Sequence, residues 1–431
     1  MEVKKADTQS LGAKGWIMVI YLFLCYFLSP SISSGFQRCI QFFQSEYGWD
    51  TTLMMSLVSI GSFAAIATCF IFTRMVATIS LKRIEICFAL VVVCGLVGLR
   101  VTTNYTFFCI LEVLVICAVV TWAYGLNPVF VSRWFPGKKG FVMGIATMGI
   151  PIGSGLISKI IEFVGSHFGQ QNNLMFSLCL AVLCFFMLLF ATKDTPEQAG
   201  YAPDNDASLS GRSMASQQKD HEKHENSPWT ILHLLATKET WFLALSIGGA
   251  TLFGGGIMNT NFLYMTGLGY SPSTAGNLML YTAACAAIFS YLLGLLDAKK
   301  SPNLAMKIVF LLAILSCVFC LMGSNFVCLL IGLACGGAVV GGASNFLTSL
   351  TIEYWGQHNF ARAYSVIFPI HQILGSMGAL YITLISANFG GYHASYMALL
   401  VLQVVCVGMF SLVRNGNFVR KQEAKWEQGK K

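Results

Sequence analysis

Three ionisable side chains stand inside long apolar stretches, where each has a narrow range of chemistry. Arg38 lies near the far end of the first stretch, and Glu112 lies six residues into the fourth. A charge at the centre of a bilayer costs roughly 2.5–3.5 kcal/mol on insertion scales, so each must face a water-filled cavity or a partner. An arginine so placed attracts a carboxylate. A glutamate at the same depth holds that arginine while no anion is present, or takes up a proton. The plainer readings are a permanent ion pair, or an Arg38 that snorkels to headgroups. His371 follows Pro369 in the eleventh stretch, and the proline ring removes a backbone hydrogen bond and opens the helix locally. With an unperturbed pKa of about 6.5, histidine binds a carboxylate when protonated and releases it when neutral. A neutral histidine bonded to a neighbouring helix is the alternative.

Polar and aromatic residues at similar depths complete a candidate pocket: Gln37, Gln41, Trp122, Tyr124, Asn259, Asn261, Asn277, Tyr281 and Asn345. A largely apolar cavity with a few orienting groups is the usual form of a small-ligand site. Arg133, Lys138 and Lys139 precede the fifth stretch and are read as gating residues, latching onto loop carbonyls or Asp297.

The elements that must position these groups are read from composition. Apolar residues make up 55% of the chain and charged ones 11%, with 33 Phe, a surface that water would not dissolve. Since a span needs about 20 apolar residues, crossings are placed at 16–43, 52–73, 84–102, 106–129, 140–162, 174–192, 240–265, 273–296, 303–323, 325–350, 361–387 and 393–413. Positive charge tests this placement. Of the 27 Lys and Arg, all but Arg38, Arg100 and Lys159 fall in alternate gaps, at the stretch ends that border them (Lys307, Arg362), or in the termini. Short Lys/Arg-rich loops stay on the cytoplasmic side, so both termini are expected inside a multi-pass protein of the cell (inner) membrane. The net charge of +8 reports orientation and gives no reason to expect nucleic acid. No cleavable leader is evident in the first stretch. The 15 cysteines are scattered through apolar stretches, and Cys317 and Cys320 have no His or carboxylate beside them, so small hydrophobes are expected, with no metal and no cofactor.

A single long polar segment, 193–238, separates six stretches from six. The reading is an N-terminal six-helix bundle (1–192), a cytoplasmic linker (193–238), a C-terminal six-helix bundle (239–414) and a cytoplasmic tail (415–431). Weak internal similarity supports duplication. Arg133-Trp134-Phe135 is echoed by Tyr354-Trp355, and Gly153-Ser154 by Gly375-Ser376. Small, bent or polar residues gather in stretches 1, 4, 7 and 10: Pro30 with its serines, Asn127-Pro128, Gly254-Gly255-Gly256, and Gly341-Gly342. They suit helices that line a cavity, or helices packed closely through small residues. Asn127-Pro128 also reads as a hinge.

At these residues the chain resembles the major facilitator superfamily, and within it the oxalate/formate antiporter and monocarboxylate porter group. Arg133-Trp-Phe-Pro-Gly-Lys-Lys-Gly-Phe-Val-Met-Gly-Ile-Ala is similar to that group's signature between spans 4 and 5. Gly48-Trp49 resembles its first outer turn, and Thr195-Pro-Glu-Gln-Ala-Gly-Tyr-Ala-Pro-Asp204 the segment leaving span 6. The resemblance implies an all-α fold of twelve transmembrane helices in two pseudo-symmetric six-helix bundles. Departures are specific. The superfamily's loop after span 2 here reads Phe72-Thr-Arg-Met-Val-Ala-Thr-Ile-Ser-Leu-Lys-Arg83 and lacks its acid, and the counterpart after span 8 keeps Gly294 and Asp297 one residue too close. In oxalate-type relatives a basic residue in span 8 and a lysine in span 11 grip a dicarboxylate. Span 8 here has no Lys, Arg or His, and His371 stands where the lysine would lie, so oxalate is not the expected substrate.

The expected function is secondary transport of a small organic anion, a monocarboxylate with a hydrophobic or aromatic body. It would work by alternating access, with proton coupling through Glu112 and His371 or by anion exchange. A carrier of a neutral sugar or drug-like solute, and a non-transporting membrane sensor, are the alternatives. An enzyme is not expected: the short loops hold no His, Asp or Glu cluster, and His221, Glu222, His224 and Glu225 fall in the polar linker. No ATP-binding loop is present, so gradients or exchange must supply the energy. Partners are the solute, protons and the lipid bilayer, and a monomer is expected.

Overall fold

The computed structural model describes residues 11–206 and 227–413, except positions 50, 77, 170, 171 and 344, together with Val419 and Lys421. Some side chains within helices also lie outside the described set, among them Gln37, Arg38, Gln41 and Asn259. Every regular element among the described residues is helical. The first eight α-helices are α1 (Gly12–Tyr47), α2 (Thr51–Met75), α3 (Leu81–Val101), α4 (Tyr105–Val120), α5 (Asn127–Trp134), α6 (Lys139–Thr147), α7 (Gly149–Phe168) and α8 (Met175–Phe190). A π-turn, Thr121–Leu126, joins α4 to α5. Then come α9 (Ile231–Ala236), α10 (Lys238–Gly267), α11 (Pro272–Lys299), α12 (Pro302–Leu321), α13 (Phe326–Ala343), α14 (Phe346–Ser376), α15 (Gly378–Asn388) and α16 (Tyr392–Ser411).

Local chemistry sets these ends. Ser80, Asn104, Ser271 and Ser301 cap α3, α4, α11 and α12, each side chain accepting the N–H three residues on. Pro272 and Pro302 follow the last two caps, where a missing N–H costs nothing. Within α14, Gly356 at φ 76° breaks the helix between Trp355 and the apolar length beyond it. Ten segments are long and apolar enough to cross a membrane, and Ser56–Phe72 and Met175–Phe190 are shorter apolar helices. Together they account for the twelve stretches read from the sequence. The protein is an all-α membrane protein.

The helices divide into two compact units. One takes in the described residues of Met1–Lys138 and Ile145–Leu209, the other those of Lys139–Gly144 and Ser210–Lys431. Inside the first, α7 lies along α1 because two glycines let the backbones meet. A side-chain carbon at Gly149 would meet the Phe23 carbonyl at 2.5 Å, and one at Gly153 the Phe27 carbonyl at 2.8 Å. Inside the second, α14 and α15 lie along α10 in the same manner, with Gly375 against Thr251 and Gly378 against the backbone of Gly256. The Gly-Ser echo in the sequence is therefore a packing device used once in each unit. Ser154 and Ser376 even make matching bonds, to the carbonyls of Ile150 and Gln372.

Candidate functional site

The helices α1 and α4, with the π-turn and α5, carry the first group of candidate side chains. Their ring contacts run antiparallel: Phe36 with Phe108, Tyr26 with Tyr124, Tyr21 with Phe130. That register puts the backbone of Arg38 level with Glu112. Glu112 is fully buried, and neither of its oxygens has a hydrogen-bond partner among the described residues. The side chains of Gln37, Arg38 and Gln41 lie outside the described residues.

Deeper along the same pair, Trp122 and Tyr124 project from the π-turn. Such i→i+5 turns gather at functional sites because the extra residue re-aims side chains. Trp122 is fully buried and donates its indole N–H to the Tyr21 hydroxyl at 2.9 Å, which in turn donates to Glu85 Oε2 at 2.7 Å. Tyr124 meets Tyr26 edge-on with ring centres 5.5 Å apart. Glu85, a buried acid behind these side chains, is one that the sequence reading passed over. The serines of span 1 are occupied locally: Ser31 donates to Leu28 O at 2.7 Å, and Ser177 of α8 donates to Ser31 O at 3.1 Å.

The second unit holds the other group. His371 is buried, and its Nε2 lies 2.7 Å from the Thr251 hydroxyl. Thr251 already donates to Ile247 O at 3.0 Å, so the network assigns the imidazole proton to Nε2 and leaves Nδ1 as a bare acceptor with no described partner. The structure gives His371 a threonine, and no described carboxylate pairs with it. Asn261 accepts from the Tyr396 hydroxyl at 2.6 Å and joins α10 to α16. Asn345 donates to Ser290 O at 3.1 Å, and Ser290 donates on to Gly144 O at 2.9 Å. Asn277 and Tyr281 are exposed on α11, and the side chain of Asn259 lies outside the described residues.

Glycines of spans 4, 7 and 10 serve as contact points. A side-chain carbon at Gly125 would meet Cys69 Sγ at 2.6 Å, and one at Gly337 would meet Thr282 O at 2.5 Å. Close packing accounts for these small residues wherever a neighbour is this near. A pocket in the first unit lies among Cys39, Phe43, Leu96, Arg100, Asn173 and Met175, and none of the proposed solute contacts lines it.

The basic residues before span 5 have separate partners. Arg133 donates to the loop carbonyl of Val76 at 3.4 Å. Lys138 is bound to Asp204, its N–H to Oδ1 and its Nζ to the carbonyl, both at 3.0 Å. Lys139 lies within electrostatic reach of Asp297 and Glu353, and Asp297 Oδ2 has no hydrogen-bond partner among the described residues. The segment read as the start of a linker is therefore built onto the first unit. Asp204 also takes the Gly137 N–H at 2.6 Å, Tyr201 stacks on Trp134 and bonds to Leu11 O, and Lys14 reaches Ala199 O. Asp204 and Asn205 hold left-handed backbone, φ 56° and 60°, to make this turn. Burial pushes the Asp204 carboxyl above the usual aspartate range, and the two N–H donors and Lys138 draw it back. Asp204→Ala is expected to cost roughly 2–3 kcal/mol through two lost bonds to a carboxylate, seen as a lower unfolding temperature and faster proteolysis near residue 200. Unchanged values would show that the turn holds without its acid. At the other end, Ser227 donates to Asn359 Oδ1 at 2.7 Å, and positions 207–226 lie outside the described residues.

The family model described as Major Facilitator Superfamily matches residues 22–379, most of the chain. The chain belongs to the major facilitator superfamily. Among solved structures, the proton:xylose symporter XylE bound to 6-bromo-6-deoxy-D-glucose has a TM-score of 0.76 at 12% identity, covering 93% of this chain and 96% of that one. The E. coli fucose:proton symporter FucP has 0.67 at 13%, covering 93% and 99%. The human organic anion transporter TETRAN has 0.68 at 12%, covering 93% and 100%. At such identities these similarities establish the fold alone; the family match is what makes the chain a multi-pass transporter of this superfamily. No curated protein matches the chain.

Proposed function

We propose that this transporter is a secondary carrier of a small organic anion, a monocarboxylate with a hydrophobic or aromatic body, in the manner of the oxalate/formate and monocarboxylate porter group. The observation that carries the proposal is the buried Glu112, which has no hydrogen-bond partner among the described residues, on a helix whose register sets it level with the backbone of Arg38. A cation or a proton would satisfy such a carboxyl. Arg38 draws the anion in, and Glu112 replaces it when the site empties. Trp122 and Tyr124 supply aromatic surface, and His371 with its bare Nδ1 is the titrating group of the second unit. Lys/Arg-rich loops favour a cell (inner) membrane location with both termini cytoplasmic, and the carrier works as a monomer. Cargo differs among the structural neighbours, sugars for two and organic anions for the third, so this choice rests on Arg38 and Glu112.

A proteoliposome panel of labelled carboxylates and neutral sugars, with and without a pH gradient, tests the proposal. Uptake of an apolar monocarboxylate that sugars do not inhibit is expected; uptake of a sugar alone overturns it. In the same assay His371→Gln should flatten the dependence of uptake on pH, because the imidazole is the side chain here that changes charge most readily. A variant with the wild-type profile would remove His371 from coupling.

A further inference from the structure

Glu85 is the fifth residue of α3, fully buried, and without a part in the solute contacts above. Its surroundings form a one-way chain of donors. Trp122 gives its only side-chain N–H to Tyr21, and Tyr21 gives its only O–H to Glu85 Oε2, while Glu85 Oε1 has no hydrogen-bond partner among the described residues. Three spans thus converge on one carboxyl, and two neutral donors in series are what hold it.

The groups that face it decide its state. From α1 come Tyr21, Cys25 and Tyr26, and from α8 comes Cys184, which is hydrogen-bonded to Cys25. Beyond α8 lies Asp194, a second acid within electrostatic reach. From α2, Phe72 packs edge-on against Phe88, one turn along α3. No described cation faces Glu85. Lys82, on the same helix, gives its Nζ to the carbonyls of Leu189 and Thr192, and Arg133 is turned to Val76 O. Ionised, Glu85 would be a buried charge held only by the neutral donors Tyr21 and Trp122 among the described residues, a costly state. Protonated, it is neutral, keeps the Tyr21 bond at Oε2 and carries the proton on Oε1. The open oxygen and the aligned donors make both forms accessible in turn.

We propose that Glu85 is a reversible proton-binding site whose occupancy is relayed through Tyr21 and Trp122 to the contact between span 1 and the π-turn of span 4. The step is Glu85–COOH ⇌ Glu85–COO⁻ + H⁺. Only the O–H bond at Oε1 breaks, and water takes the proton. Loss of the proton strengthens the Tyr21 bond to the charged oxygen and pulls on Trp122. Tyr124 stands two residues further along the same π-turn and rests on Tyr26, five residues beyond Tyr21, so the change reaches a side chain assigned to the solute. The relay rests on the carrier reading for what the proton drives, whereas the proton site itself does not.

Infrared difference spectra of the full-length protein in lipid, recorded as pH is stepped, test the site. A carboxylic C=O band that titrates in wild type and in Glu112→Gln, and is missing in Glu85→Gln, is expected; an unchanged spectrum in Glu85→Gln overturns the proposal. Should Glu85→Gln fail to fold, Tyr21→Phe keeps the carboxyl and must displace the titration midpoint, and an unmoved midpoint overturns the relay. In proteoliposomes, Glu85→Gln should keep solute exchange at equal pH and lose accumulation driven by a pH gradient at least tenfold. Retained accumulation overturns coupling through Glu85. A wild-type protein that moves none of the anions tested would defeat the carrier reading and leave the infrared titration to decide Glu85.

Discussion

Gly341→Leu should leave little folded protein in the membrane, whereas Gly408→Leu should be tolerated. The difference is read from the backbone. In α13 the space beside Gly341 is filled by α11, and a side-chain carbon there would collide with the Ala286 carbonyl oxygen and come within 2.9 Å of the Ser290 N–H. Both are main-chain atoms in a continuous helix, so no rotamer change gives relief. Forcing even single methylenes into a packed interior costs typically 1–3 kcal/mol, and a leucine against backbone must separate α11 from α13 along their length. In lipid that separation also removes the dispersion contacts which hold such helices together. Gly408 in α16 has nothing within 4 Å of the added carbon, so leucine there meets open space. The yield of monodisperse protein after extraction, and its unfolding temperature, would measure the contrast. Equal values for the two variants would mean that α11 and α13 do not meet as described.

Much of the fold was legible because lipid imposes one simple requirement, a run of apolar residues long enough to cross. Partners were not legible. Glu85 was hidden by its neighbours: it follows Lys82 and Arg83 at the mouth of a span, where a charge reads as a loop residue. Its partners Tyr21 and Trp122 lie in other spans, and only folding brings them to it. Asn261 and Asn345 stood at apparent cavity depth, yet the structure engages one with Tyr396 and the other with Ser290. An amide in an apolar span must find a partner, and sequence cannot say whether a helix or a solute supplies it. The stretch leaving span 6 failed differently. Its Pro, Gly and Asp content looks like a linker, but a turn rich in those residues is also what left-handed backbone at Asp204 requires. For His371 the bond to Thr251 depended on the register of α14 against α10, which no local pattern gives.

Arg38→Gln should abolish uptake of the anion while leaving the amount of inserted protein near wild type. In the carrier reading Arg38 is the charge that meets the solute, and removing one partner of a buried, hydrogen-bonded charge pair costs about 2–5 kcal/mol, a factor of roughly thirty or more in affinity. Glutamine keeps the length and some hydrogen-bonding capacity, so the loss isolates the charge. Lysine keeps the charge and loses the planar fork, and should restore only part of the uptake. Glu112 makes the test sharper. With no described partner of its own, it is left in Arg38→Gln as a buried carboxyl that only a proton can neutralise. Glu112→Gln combined with Arg38→Gln should therefore be better folded than Arg38→Gln alone, though equally inactive. Equilibrium binding of the labelled anion and unfolding temperatures of the two single variants and the double variant complete the cycle. If Arg38→Gln transports normally, the arginine serves structure or headgroups, and the site for the anion must be sought in the second unit around His371.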